Sequence, residues 1–153
     1  MRGNTPAVSI IIPAYNHVAW IKQALDSVAA QSFTSWELII IEDASRDDSW
    51  KLITTWAKQH PHLSIRCIQH TQNQGAPATL NEGLSLAQGE YISILNSDDA
   101  WYPQRLERLH KLAKQQHYDF LVTAVDLWDE KSAPKKESEA DWLAWYQGLH
   151  RAR

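Results

Sequence analysis

Short runs of β-branched apolar residues alternate along this chain with stretches whose apolar positions recur every three or four residues. Val8, Ile10, Ile11 and Ile12 make an apolar run that ends at Pro13, the pattern of a strand buried on both faces. From His17 to about Gln31, Val18, Ile21, Leu25 and Val28 fall at helical spacing. A second buried strand covers 36–41 and stops at Glu42-Asp43. Ser45 stands ready to cap a helix running to about Gln59, with Asp47 and Asp48 in its first turn against the helix dipole and Trp50, Ile53 and Trp56 turned inward. A third strand at 65–68, a helix over 77–87 closed by Gly89, and a fourth strand at 91–95 follow. Pro103 suits the N1 position of a further helix that turns Leu106, Leu109 and Leu112 inward, and 120–125 predicts a fifth strand. Strands alternating with helices this regularly predict right-handed βαβ units and an α/β fold with a mostly parallel sheet.

After Trp128 the texture changes. Residues 128–141 are rich in charge, contain Pro134 and lack apolar periodicity, so they predict a solvated loop. Beyond it Trp142, Trp145, Tyr146 and Leu149 fall at helical spacing, which predicts an amphipathic helix over 142–153. Its aromatic face needs a partner and would favour self-association if uncovered.

Composition narrows the function classes. The 153 residues are 44% hydrophobic and 22% charged, which is ordinary for one folded domain. A net charge of −3 gives no basic field for nucleic acid. Cys67 is the single cysteine, so neither an internal disulfide nor a cysteine-held zinc is expected. No secretory h-region follows Met1, and no apolar run approaches the ~20 residues that span a bilayer. The expectation is a soluble cytoplasmic chain. The seven histidines show no ligand spacing and read as surface residues.

In a parallel α/β sheet, ligands bind beyond the carboxyl ends of the strands. The residues found there are Pro13, Tyr15 and Asn16 after the first strand and Glu42, Asp43 and Ser45 after the second. Asn73 and Gly75 follow the third, and Asn96, Ser97, Asp98 and Asp99 follow the fourth. Neighbouring carboxylates repel, and a divalent cation shared with substrate phosphates would offset that repulsion at Asp98 and Asp99. Asp43 could accept a hydrogen bond from another part of the same ligand, and Tyr15 offers a flat face for a nucleobase. Plainer readings stand beside these. Asp98-Asp99 can be turn residues, Asp43 with Ser45 a helix start, and Tyr15-Asn16 and Asn73 simple turns.

The joint series is more specific than any member. Residues 8–16 (VSIIIPAYN), Gln31-Ser32-Phe33, residues 36–45 (WELIIIEDAS), Asn73-x-Gly75, Asn81-x-Gly83, Gly89-Glu90-Tyr91-Ile92 and Asn96-Ser97-Asp98-Asp99 resemble, in order and spacing, the inverting family 2 glycosyltransferases. The likeness covers roughly residues 7–127. It implies a GT-A fold (Rossmann-like) and the nucleotide-sugar-binding domain of such an enzyme, with the chain ending before the acceptor half. It further implies that Pro13, Tyr15, Asn16, Asp43, Asn73 and Asp99 bind the nucleotide, with Asp43 accepting from a base that is usually uracil. Asp98 would be the metal carboxylate of an Asp-x-Asp motif, holding Mn2+ or Mg2+ against the leaving diphosphate. Two positions depart from the family pattern. Asn96 stands where the motif has its first acid, and Leu80 stands where an arginine often precedes the helix asparagine.

An inverting transfer also needs a general base for the acceptor hydroxyl. In the family that base lies in the following half, and none of Asp126, Asp129, Glu130, Glu139 or Asp141 matches it, so no catalytic residue is assigned. The expected reaction is transfer from a nucleotide-sugar, a UDP-sugar for preference, to a saccharide or lipid-linked acceptor, either in the cytoplasm or peripherally at the inner face of a membrane. The alternative is a non-catalytic nucleotide-sugar-binding module or a truncated, inactive transferase. A phosphorylatable receiver domain fits poorly, because the first strand ends in Pro13-Ala14-Tyr15-Asn16 without an acidic pair.

Overall fold

The computed structural model describes residues 5–125. The charged segment 128–141 and the aromatic helix at 142–153 therefore lie outside the described residues. Four strands, β1 (Val8–Ala14), β2 (Trp36–Glu42), β3 (Ile65–Gln69) and β4 (Tyr91–Ile94), alternate with four helices, α1 (Ile21–Ala29), α2 (Ser49–Gln59), α3 (Ala76–Leu86) and α4 (Arg105–Gln116). All pairings are parallel, in the order β3-β2-β1-β4.

The two central strands are the two apolar runs. Ile10, Ile11, Ile12, Leu38, Ile39, Ile40 and Ile41 have no exposed surface, and burying each such side chain contributes roughly 1.5–3 kcal/mol. The outer strands are wetter. β4 alternates half-buried Tyr91 and Ser93 with exposed Ile92 and Ile94.

Helix α3 packs closely on β1. A Cβ on Gly83 would stand 2.5 Å from Ile11 Cγ2, and one on Gly89 would stand 2.4 Å from the Ser9 backbone nitrogen. Ser9 Oγ donates to Glu37 Oε1 (2.6 Å) and accepts from Gly89 N–H (2.8 Å), while Gln88 N–H also donates to Glu37 (2.7 Å). This buried knot closes the α3–β4 turn at the amino end of the sheet. At the other side Gln31 accepts the Leu106 N–H (3.0 Å) and donates to Tyr102 O (2.9 Å), so a side chain from the end of α1 satisfies the open end of α4.

Several local expectations are corrected. Helix α1 begins at Ile21, not His17, and the loop before it is held to the β2–α2 loop: Asn16 N–H bonds Ser45 Oγ, His17 N–H bonds Ser49 Oγ and Val18 N–H bonds Asp47 Oδ2. Ser45 is consequently not the cap of α2, which starts at Ser49. Pro103 precedes α4 by two residues and uses its carbonyl to accept the Ser32 N–H. Residues up to Lys111 form one compact unit, and Leu112 begins a second. In that second unit the chain leaves α4 through His117 at φ 54° and forms no strand over 120–125. Phe120, Val122 and Val125 are exposed, and β-branched composition makes no strand without an edge to pair with. No helix of the described residues is long and apolar enough to cross a membrane.

Candidate functional site

The carboxyl ends of β1, β2 and β4 and the start of α3 surround a cleft of about 490 Å3. It is lined by Pro13, Tyr15, His17, Asp43, Asn73 and Asp98, with Gly75, Thr79, Asn96 and Ser97 among the remaining walls. Its size is that of a small-molecule site. Five of the seven expected ligand residues line it: Pro13, Tyr15, Asp43, Asn73 and Asp98. Asn16 and Asp99 adjoin it without lining it.

The loops that shape the cleft are fixed by one another. Asn16 (φ 55°) and Ala44 (φ 58°) both hold left-handed backbone, a costly conformation for residues with a side chain. It is maintained because Asn16 Oδ1 accepts the Arg46 N–H (2.8 Å), Ser45 Oγ accepts the Asn16 N–H (2.9 Å), and Glu42 Oε1 accepts the Ser45 N–H. The Asn16 side chain thus organises the rim of the cleft.

Asp43 is the hub. Its Oδ1 accepts from His70 Nδ1 (2.6 Å) and from the Gln74 N–H (2.8 Å), and its Oδ2 accepts from the Gly75 N–H (2.8 Å). Its backbone carbonyl accepts from Asn73 Nδ2 (3.2 Å). Gly75, at φ 84°, turns the chain into α3 with a backbone that side-chain-bearing residues rarely adopt. Burial pushes the Asp43 carboxyl up, but the bonds from Gln74, His70 and Gly75 outweigh it and hold the group below the usual carboxylate range.

Asp98 stands at the far side, exposed, and no hydrogen bond from the described residues engages its carboxylate. Asp99 is steadied by Asn96 Nδ2 (3.0 Å). Buried Ser97 bonds His17 Nδ1 (2.7 Å), and Arg105 lies 4.3 Å from the centre of the Trp101 ring and donates to Ser93 Oγ (3.1 Å). These contacts anchor the acidic turn from both sides. Among the described residues no group of three His, Cys, Asp or Glu side chains is arranged to enclose an ion. The donor set still suits a hard cation such as Mg2+ or Mn2+, which takes one or two carboxylates and completes its shell with substrate phosphates and water.

Two residues escaped the sequence reading. His17 lines the cleft, and His70 is buried at its base rather than on the surface. His70 follows a strand as Asp43 does, so its place at a carboxyl end was the available signal.

The family model for "Glycosyl transferase family 2" matches residues 9–152. The chain belongs to this family. A Rickettsia typhi protein named as an uncharacterized glycosyltransferase, RT0329, is 34% identical over 136 residues, which is 86% of this chain and 41% of that protein. The chain spans half or less of the length of the curated relatives it matches here. Among solved structures, S. aureus TarS in complex with UDP-GlcNAc superposes with a TM-score of 0.73 at 26% identity, covering 84% of this chain and 37% of TarS. The mannosyltransferase PcManGT of Pyrobaculum calidifontis, in complex with GDP-Man and Mn2+, gives 0.65 at 29% identity, covering 76% and 34%. The parallel sheet with flanking helices is accordingly the GT-A fold.

Proposed function

We propose that residues 7–127 of this family 2 glycosyltransferase chain bind a UDP-sugar, with Mn2+ or Mg2+ at Asp98, for inverting transfer to a saccharide or lipid-linked acceptor. The observation that carries the reading is one cleft lined at one side by a buried carboxylate with one acceptor site left, Asp43, and at the other by the carboxylate of Asp98, which no hydrogen bond from the described residues engages. Nucleotide-sugar complexes of TarS and PcManGT support it.

The hydrogen bonds of Asp43 favour uracil over guanine. A carboxylate oxygen has two acceptor sites, and Oδ1 has filled both with His70 and Gln74. Oδ2 has accepted only Gly75, so one site remains for a single N–H such as uracil N3. The guanine edge presents two adjacent donors that want both oxygens of a carboxylate. Tyr15, exposed at the mouth, supplies a face for the ring, and Asp98 would hold the ion whose chemistry is to neutralise charge on the departing diphosphate. In the transfer, the acceptor oxygen bonds to the anomeric carbon as the bond to the UDP oxygen breaks, with inversion. The acceptor's proton passes to a base not assigned among the described residues.

Calorimetric titration tests this. UDP should bind with Mn2+ and bind much more weakly without it, GDP should compete poorly, and Asp98→Ala should remove the metal dependence while the fold persists. Equal affinity for GDP and UDP would sink the uracil assignment. Binding without turnover on any saccharide or lipid-linked acceptor would favour a nucleotide-sugar-binding module.

A further inference from the structure

His70 is buried at the base of the cleft with both ring nitrogens against carboxylates. Nδ1 lies 2.6 Å from Asp43 Oδ1, and Nε2 lies 2.7 Å from Glu82 Oε2 on α3, with the His70 side chain 5% exposed. A neutral imidazole has one donor and one acceptor, so it can satisfy only one of two facing carboxylates. Asp43 also receives the Gln74 and Gly75 amides, an environment that keeps it ionised. Both ring nitrogens can donate only as an imidazolium, and hydrogen bonding to the two carboxylates favours that form.

The connection onward is short. Asp43 holds the Gln74 and Gly75 N–H groups, and Asn73, Gly75 and Thr79 form the α3 wall of the cleft. Thr79 in turn donates its hydroxyl to Gly75 O (2.9 Å). We propose that His70 is a positioning residue: while it carries both ring protons it ties Asp43 to α3 through Glu82, fixing the base-binding carboxylate and the 73–75 loop, and loss of one proton loosens that wall. The nucleotide part of this inference rests on the donor reading above.

The charged groups facing the imidazole are Asp43 at the end of β2 and Glu82 of α3. Glu42 contributes its backbone carbonyl, which accepts the His70 N–H (2.8 Å). Hydrogen bonding to Asp43 first, and to Glu82 second, raises the imidazole above its ordinary value of 6.5 against the opposing effect of burial. The clamp is thus complete below 6.5 and is lost as pH rises through the raised value.

Two readouts test it. The first needs no ligand: NMR titration of the metal-free chain between about pH 5.5 and 8.5 follows the His70 ring and the Gln74 and Gly75 amides, as befits a histidine-based transition. The amides should shift with the ring's own midpoint, and Glu82→Gln, which keeps the imidazole and an acceptor, should lower that midpoint for ring and amides together. The second is UDP affinity with Mn2+ for wild type and His70→Gln, a neutral variant whose single amide nitrogen can replace only one of the two ring nitrogens. Wild type should bind about tenfold tighter below the midpoint, the scale of one charge-assisted hydrogen bond, and no tighter above it. The nucleotide's own ionisation cancels in that ratio. Amides that stay still while His70 titrates, or a ratio independent of pH, would overturn the proposal. Amides that follow His70 in a protein that binds no UDP at any pH would uphold the clamp and reject the uridine reading instead.

Discussion

Two buried polar knots stand at opposite ends of the same strand. At the amino end of β2, Glu37 accepts from the Ser9 hydroxyl and the Gln88 N–H. Just past its carboxyl end, Asp43 accepts from His70 and from the Gln74 and Gly75 amides. The physics is shared, since a buried carboxylate must be met by donors or its desolvation goes uncompensated. The difference lies in what the donors are and what they border. Glu37 has neutral donors and closes a turn against β1, so its knot serves stability. Asp43 has an ionisable donor and borders the cleft, so under the proposal above its knot would couple stability to the ligand and to pH. One strand thus carries a staple at its start and an adjustable clamp at its end.

The severest way to break the comparison is at the staple. Gly89→Val would drive a side chain into the Ser9 nitrogen and the Val8 carbonyl carbon, both backbone atoms that cannot swing aside. It should cost about 3 kcal/mol or more in urea unfolding, enough to leave little folded chain. Next comes Asp43→Asn. The amide turns an NH2 toward N–H donors, which should cost about 1–3 kcal/mol, and calorimetry should detect no UDP binding by the folded fraction. Glu37→Gln sharpens the contrast. Its neutral oxygen still accepts from Ser9 and Gln88, so the loss should be about 1 kcal/mol with UDP affinity of the folded protein unchanged.

The smallest effect is the pH profile of stability. His70 is raised from 6.5, so its contribution is complete below that value and fades as pH climbs through the raised pKa. Asp43 is lowered from 3.8, so its contribution is complete above that value and fades as pH falls through the lowered pKa. The contributions of Asp43 and His70 are therefore both complete between these two values. The unfolding free energy of wild type minus that of His70→Gln should be largest within the window and shrink toward alkaline pH. A difference that grows toward alkaline pH would contradict the charged imidazole.

Much of this was legible in the chain. The strands and helices follow from β-branched runs and helical spacing, and from them the parallel sheet and the position of any ligand at the carboxyl ends. The linked motifs carried the family. Asp43, Asp98, Tyr15, Pro13 and Asn73 were singled out because each follows a strand, and all five line one cleft. The misses have a common cause. His17 and His70 were set aside for lacking ligand spacing, yet neither is partnered along the chain: His70 meets Asp43 across 27 residues and His17 meets Ser97 across 80. The starts of α1 and α2 were misplaced for the same reason, as Ser45 and Ser49 serve amides of the β1–α1 loop and Asp47 divides its two oxygens between that loop and the Ser49 N–H. The fifth strand failed because a strand is defined by a neighbour.

Periodicity and local residue preference act over a few residues, so the sequence by itself determined the four strands and four helices of the sheet, their order and which end of the sheet borders the cleft. The pairing of His70 with Asp43 and Glu82 and the two donors on Asp43 Oδ1 depend on which distant groups meet in a buried space. Only the tertiary structure decided these, because hydrogen-bond donors and charges are allotted by proximity after folding.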